Sequence, residues 1–376
     1  MNEKKRTIAL GANTSQYVWS TRSELIKVLI ERGYHVVVLA PRDQFSQKFS
    51  AIGAEYIEIP MSMNTNPVSD FGIFLKFLNA MRQSKPDAYL GFTVKPNVYG
   101  SLAANVLNIP VINNIAGLGA PFVTRSAITR IVKQLYRAGL AKSALVFFQN
   151  RDDHALFRDE KILRHDRTDI LPGSGVDLTR FKYTPRVQND PHTPFRFLLV
   201  SRMLWDKGIG EYADAARDIK TRHPNTEVYL LGSMGIDNPA SIPSKTIQRW
   251  VKEGIVSYLD FKEDVIPEII AADCVVLPSY REGTPRTLLE ACAIGRPIIT
   301  ADAVGCRDVV DDAVNGFMCA PKDSRDLAQK MEQMILLGPD ARIEMGRQGR
   351  LKMEAQYDER TVIGKYLDTL KQTLQG

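Results

Sequence analysis

Arg202 and Lys207 stand five residues apart in the segment Ser201-Arg-Met-Leu-Trp-Asp-Lys-Gly208, between an apolar run at Phe195–Val200 and an amphipathic stretch from about Glu211. A guanidinium that grips two phosphate oxygens and an ammonium that acts as a point charge, sharing one strand-to-helix turn, suit a diphosphate. A second segment, Pro278-Ser-Tyr-Arg-Glu282-Gly283-Thr284-Pro285, leads from the apolar run Cys274–Leu277 into the helical pattern Arg286–Ile294. Thr284 is a favoured N-cap and Pro285 suits the first helical position. The N–H groups of Gly283, Thr284 and Arg286 are then expected at a helix end that attracts anions. Glu282, just before that end, and Glu290, a little over one turn inside it, would repel a phosphate. Neutral partners are expected for them, and vicinal sugar hydroxyls donate well to carboxylates. A third loop, Gly11-Ala-Asn-Thr-Ser-Gln16, offers the backbone at Gly11 to an anion ahead of a helix from about Ser20. It lacks the G-x-G-x-x-G fingerprint, and no acidic residue ends the second apolar run before Pro41, so a dinucleotide cofactor is disfavoured. Together the three loops describe a nucleoside diphosphate linked to a sugar.

Parallel α/β layers are the elements that place such loops side by side. Short β-rich runs at Thr7–Leu10, His35–Leu39, Tyr56–Ile59, Ala88–Phe92, Val111–Asn114, Leu145–Phe148 and Asp169–Leu171 alternate with helical patterns such as Ser23–Arg32. The segment 182–194, with three prolines and no periodicity, reads as a linker. The pattern restarts with runs at Phe195–Val200, Glu227–Leu231, Val256–Leu259, Cys274–Leu277 and Pro297–Thr300. The expected fold class is α/β, with two doubly wound, Rossmann-like parallel-sheet domains facing a central cleft and ligands at the carboxyl ends of the strands. Expected bounds are 1–185, 186–356 and a final amphipathic helix within 357–376.

The chain has 376 residues, 44% of them hydrophobic and 24% charged, which excludes a disordered tail or a disulfide-stapled miniature. Residues 1–190 carry 25 basic and 16 acidic side chains (25 − 16 = +9), whereas 191–376 carry 24 and 27 (24 − 27 = −3). No acidic residue lies between Asp87 and Asp152, a gap that holds Lys95, Arg125, Arg130, Lys133, Arg137, Lys142 and Arg151. Four cysteines without paired CxxC spacing point to a reduced, cytosolic chain and offer no metal site. No apolar run reaches the ~18 residues of a spanning helix, and the N-terminus lacks a signal-peptide core.

The run VLPSYREGTPRTLLEACAIGRPIITADAVGCRDVVDDAVNGF, with SRMLWDKG upstream, resembles the donor half of glycosyltransferase family 4, whose hallmark is two glutamates in the spacing of Glu282 and Glu290. The resemblance implies the GT-B fold and a retaining, metal-independent transferase without cofactor. It implies catalytic roles for Arg202, Lys207 and Glu282, the last toward the donor sugar. Donor contacts are implied at Gly11, Gly283, Thr284, Pro285, Arg286 and Glu290, with Glu290 on the ribose hydroxyls. The segments Thr93–Gly100 and Asn113–Gly119 resemble the acceptor half of bacterial enzymes that extend undecaprenyl-diphosphate-linked sugars for capsule, O-antigen or glycoprotein oligosaccharides. Arg22, Lys95 and Asn97 are the acceptor residues expected from it. Val94 and Ala116 stand where these enzymes carry a histidine and an acidic residue, leaving no obvious side-chain base. In front-face displacement the departing phosphate oxygen takes the acceptor proton, and charge stabilisation of the diphosphate becomes the main catalytic effect.

The expected activity is transfer of a sugar, N-acetylhexosamine in the first instance, from a UDP-sugar to a polyprenyl-diphosphate-linked saccharide. The basic face of the helical pattern 125–142, with Arg130, Lys133 and Arg137, is expected to hold the enzyme at the anionic inner face of the cell membrane, at ~1 kcal/mol per residue. A solvated helix face is the plain alternative. Nucleic acid is not expected, since aromatics arranged for base stacking are missing. A sugar-nucleotide epimerase of GT-B-like fold, a transferase using a soluble acceptor and a non-catalytic nucleotide-sugar binder remain open.

Overall fold

A computed structural model describes residues 5–62, 67–118, 127–186, 192–236 and 238–375. The chain forms two units, one of Met1–Ser174 with Thr361–Gly376 and one of Gly175–Arg360. In the first, strands β1 (Thr7–Gly11), β2 (His35–Ala40), β3 (Glu55–Glu58), β4 (Ala88–Phe92), β5 (Val111–Ile115), β6 (Leu145–Phe148) and β7 (Thr168–Ile170) form a sheet of order β3-β2-β1-β4-β5-β6-β7, with every pair parallel. In the second, β8 (Phe195–Val200), β9 (Thr226–Leu231), β10 (Ser257–Tyr258), β11 (Cys274–Leu277), β12 (Ile298–Ala301) and β13 (Gly316–Cys319) form a parallel sheet of order β10-β9-β8-β11-β12-β13. Each order reverses beside its first strand. The crevice at such a reversal, between β1 and β4 or between β8 and β11, is where open α/β sheets take ligands.

Strand alternation builds two apolar layers per sheet. Ile8 and Leu10 face the helix Ser15–Glu31 through Leu25, Ile26 and Leu29, while Ala9 of the same strand packs with Ile73, Phe77 and Met81. Likewise Phe197 and Leu199 bury with Tyr212, Ala216 and Met331, and Leu198 with Leu288, Leu289 and Cys292. The last helix, Glu359–Gln375, puts Val362, Ile363, Tyr366 and Leu370 into the first core, and Lys365 ties it to Asp169 at 2.7 Å.

Several expected boundaries move. The first helix begins at Ser15 rather than Ser20, because Thr14 is extended and its side chain accepts from the N–H of Tyr17, a proper N-cap. The first unit closes at Ser174, before the proline-rich segment, since Val176 and Phe181 bury in the second core and the N–H of Thr184 donates to Ile294. Residues 187–191 of the expected linker lie outside the described residues. Strand β13, absent from the sequence reading, holds only four residues, two of them half-buried, and its Gly316 lies against the Ile298 carbonyl of β12.

Candidate functional site

In the second unit the turn after β8 and the loop after β11 are held together by their backbones. Trp205–Lys207 forms one 3-10 turn ending at Gly208, whose φ of +70° suits glycine, and a Cβ there would lie 2.2 Å from the Pro278 carbonyl oxygen. The carbonyl of Asp206 accepts from the N–H of Tyr280 at 3.0 Å and from the hydroxyl of Ser279 at 3.1 Å. The Tyr280 hydroxyl donates to Glu211 at 2.5 Å; partial burial and that carboxylate push the phenol pKa upward. Clamped in this way, the two loops bring Nζ of Lys207 to 2.5 Å from Oε1 of Glu282, with both side chains mostly buried. Arg202 is exposed on the same turn.

The helix Arg286–Ile294 starts as expected, but its cap differs. Pro285, extended at φ −74° and ψ 106°, is the N-cap and accepts from Leu288 and Leu289, so Thr284 lies one residue outside the helix. The Pro285 carbonyl takes the Leu288 N–H that an N-cap side chain could otherwise accept, and no side chain of Pro285 caps the helix. The N–H groups of Arg286 and Thr287 have no carbonyl four residues back within the helix, as at any helix start. Arg286 donates to Glu290 at 2.6 Å across one turn. The backbone at Glu282 and Gly283 is fixed from the far side: the Glu282 N–H donates to Val304 at 2.9 Å, and a Cβ on Gly305, at φ +77°, would meet the Glu282 and Gly283 carbonyl oxygens at 2.4 and 2.3 Å. Arg202, Lys207, Glu282 and Glu290 therefore share the edge after β8 and β11 with a helix N-terminus, and that arrangement matches a diphosphate flanked by hydroxyl groups.

The first unit has its own polar edge after β1 and β4. Gly11 is buried against Tyr89, whose hydroxyl lies 2.1 Å from where a Cβ would stand. The N–H of Asn13 donates to Oγ1 of Thr93 at 3.0 Å. Arg22 is 2% exposed and lies over the ring of Phe92 at 4.7 Å and that of Tyr366 at 5.7 Å. Lys95 is buried in a 2.6 Å pair with Asp70, which also accepts from Tyr99 at 3.0 Å. Asn97 uses its amide internally: Nδ2 donates to the Asn114 carbonyl and Oδ1 accepts from Asn113, both at 2.8 Å. Gly119, at the end of the second acceptor segment, lies outside the described residues.

The family model described as Glycosyl transferase 4-like matches residues 7–150, and that described as Glycosyl transferases group 1 matches residues 194–336. The chain belongs to the family 4-like glycosyltransferases. Its architecture is the GT-B fold: HepE of Anabaena, solved in complex with UDP and glucose, superposes with a TM-score of 0.77 at 19% identity, over 97% of this chain and 99% of that one. N,N'-diacetylbacillosaminyl-diphospho-undecaprenol alpha-1,3-N-acetylgalactosaminyltransferase of Campylobacter jejuni is 26% identical over 367 residues, 93% of this chain and 94% of that one. UDP-Gal:alpha-D-GlcNAc-diphosphoundecaprenol alpha-1,3-galactosyltransferase of Escherichia coli is 22% identical over 69% of each chain. The epimerase and binding-protein readings are set aside on these matches.

Elsewhere in the glycosyltransferase the basic helix differs from expectation. It spans Ala127–Leu140, and Arg125 lies outside the described residues. Arg130 is exposed, but Lys133 pairs with Glu160, and Arg137 donates to the carbonyls of Glu160 and Lys161 at 2.7 and 2.9 Å. These cations cap the carboxyl end of the helix Arg151–Asp159, where the helix dipole and the terminal carbonyls attract them. They do not form a free basic face. His154 is likewise engaged, with Nε2 at 3.0 Å from the Thr168 hydroxyl. Among the described residues no group of three His, Cys, Asp or Glu side chains is placed to hold a metal ion, and no helix is long and apolar enough to cross a membrane. Asp206 and Gly305 act through backbone contacts, the Asp206 carbonyl and the close approach at Gly305, and no motif in the sequence singles them out.

Proposed function

We propose that this glycosyltransferase moves an N-acetylhexosamine from a UDP-sugar to an undecaprenyl-diphosphate-linked saccharide during polysaccharide or oligosaccharide assembly. The observation that carries the reading is the Lys207–Glu282 pair beside the Arg286–Ile294 helix end. A diphosphate competing for Lys207 releases Glu282 toward the sugar hydroxyls, so the same contact that neutralises the site alone becomes two substrate contacts. Arg202 adds the second cation, Gly283, Thr284, Pro285 and Arg286 line the anion end, and Glu290, oriented by Arg286, takes the ribose hydroxyls. The named relatives support the acceptor class, since both act on sugars linked to undecaprenol through a diphosphate, and the structure with UDP supports the donor class.

In the proposed retaining step the bond from the anomeric carbon to the diphosphate oxygen breaks, the bond to the acceptor oxygen forms on the same face, and the acceptor proton passes to the departing phosphate oxygen. Lys207 and Arg202 stabilise the charge that develops there, so neither a metal nor a cofactor is assigned a role. Lys95 and Asn97 serve the acceptor side by positioning, since their polar atoms hold Asp70, Asn113 and Asn114, and Arg22 is the residue left for direct contact. Peripheral attachment at the cytoplasmic membrane face is assigned to Arg130 and the neighbouring Ile131, which is 57% exposed.

The test is a panel of UDP- and GDP-linked sugars with a synthetic polyprenyl-diphosphate saccharide, scored by product mass and anomeric configuration. UDP-N-acetylhexosamines are expected to yield an extended lipid with the donor's configuration retained. Product from GDP-sugars alone, or an inverted anomer, would replace the donor or the mechanism proposed.

A further inference from the structure

Arg22 is a buried cation without a counter-charge. Its Nη1 donates to the Thr21 carbonyl at 3.0 Å, while Nε and Nη2, both buried, have no hydrogen-bond partner, and no carboxylate pairs with it among the described residues. Burying an unpaired charge is strongly unfavourable, and each unsatisfied donor adds to that cost. The two aromatic rings at 4.7 and 5.7 Å offset part of it but offer no oxygen or nitrogen acceptor to Nε and Nη2. A second unsatisfied atom belongs to the same edge: Oδ1 of Asn13 is buried without a partner, on a residue tied to Thr93, which follows Phe92. Thr93 itself holds φ +63°, an uncommon conformation for a β-branched residue, and strain of this kind gathers at ligand sites. Asn13, Phe92 and Thr93 stand at the carboxyl edge of β1 and β4, where the strand order of the first unit reverses, and the guanidinium of Arg22 reaches Phe92 there from the helix Ser15–Glu31.

We infer that Arg22 and Asn13 form a glycosyl-phosphate subsite, with Nε and Nη2 of Arg22 gripping two oxygens of one phosphate and Oδ1 of Asn13 accepting from a hydroxyl of the attached sugar. Two parallel donors on a planar guanidinium match two phosphate oxygens, and a nearby acceptor matches a hydroxyl but not the phosphate. The inference deepens the proposed transfer by naming what the acceptor side recognises, namely the phosphate next to the acceptor sugar, and it rests on that reading only for the source of the phosphate. The donor nucleotide sugar carries the same chemistry, so the experiment separates the two.

Arg22→Met keeps the length and loses the donors, and Arg22→Lys keeps the charge with one point donor. In steady-state kinetics Arg22→Met is expected to raise the KM for the lipid-diphosphate saccharide about ten- to a hundred-fold, with kcat and the donor KM within about two-fold; Arg22→Lys falls between. A rise in donor KM instead assigns the subsite to the nucleotide sugar's phosphate. A turnover-independent arm uses inorganic diphosphate as the probe, in an Arg202→Ala/Lys207→Ala background that removes the other cations. Diphosphate should raise the melting temperature of that protein, and adding Arg22→Met, or Arg22→Lys if the former does not fold, should abolish or reduce the rise. Unchanged KM values together with undiminished protection by diphosphate would overturn the subsite. Absence of any transfer to lipid-linked acceptors, with protection still dependent on Arg22, would overturn the proposed function and leave the subsite standing.

Discussion

Lys207 and Glu282, 75 residues apart in the chain, meet at 2.5 Å because the Asp206 carbonyl clamps the loop after β11 and Gly208 lets the turn after β8 lie against Pro278. The pair is mostly shielded from solvent, so each charge depends on the other. Removing one partner of a shielded pair costs about 3 kcal/mol, whereas removing both costs less than the sum. Lys207→Ala and Glu282→Gln are each expected to remain folded and to lose at least about a hundred-fold in kcat/KM. Melting curves of the singles and the double, with initial rates, check this. Unimpaired transfer in both singles would remove the site assignment.

Gly305 holds the Glu282–Gly283 backbone without touching it through a side chain. Gly305→Ala forces that backbone away by more than a rotamer change can absorb, so the donor KM should rise about ten-fold or more while the acceptor KM stays near its original value. Separate KM determinations for the two substrates decide it.

Burial pushes the thiols of Cys292, Cys306 and Cys319 up to about 12, with the Glu282 carboxylate contributing at Cys306. Their folded values exceed those of a free thiol, so the unfolded chain loses its protons first. Stability from this source is complete below about pH 8.5 and falls as pH rises toward 12, by up to about 1.4 kcal/mol per thiol per pH unit. Urea unfolding at pH 8 and pH 10 should show the decline, and Cys306→Ala should flatten it. At pH 8 the native protein should react with a thiol reagent far more slowly than the unfolded chain.

Reversal of Arg130 to Glu is expected to weaken co-sedimentation with vesicles rich in anionic lipid and to leave the melting temperature within a degree or two. Lys133→Glu and Arg137→Glu should instead lower the melting temperature, because they lose contacts at the end of the helix Arg151–Asp159. Equal vesicle binding by wild type and Arg130→Glu would remove the membrane assignment.

Features set by local pattern were legible in the sequence. The helix Arg286–Ile294 has the bounds its apolar spacing implied, and Arg202, Lys207, Glu282, Gly283, Thr284 and Pro285 fall on the loops after β8 and β11 because a parallel sheet puts them there. Features set by partners distant in the chain were not. The amphipathic spacing around Lys133 and Arg137 shows a charged face, but not that Glu160 and two carbonyls occupy it. Lys95 reads as an available cation until Asp70, 25 residues earlier, is found beside it. Arg22 shares the helical spacing of Val18, Leu25, Ile26 and Leu29 and so falls on the buried stripe, but the Phe92 and Tyr366 rings that cover it come from distant parts of the chain.

The mass of the lipid product formed from a UDP-N-acetylhexosamine and a polyprenyl-diphosphate saccharide, by wild type and by Lys207→Ala in parallel, tests the proposed transfer itself. The wild type is expected to extend the acceptor by one N-acetylhexosamine, and Lys207→Ala to leave it essentially unextended. Equal extension by both proteins, or no extension by the wild type with any lipid-diphosphate acceptor, would contradict the proposal.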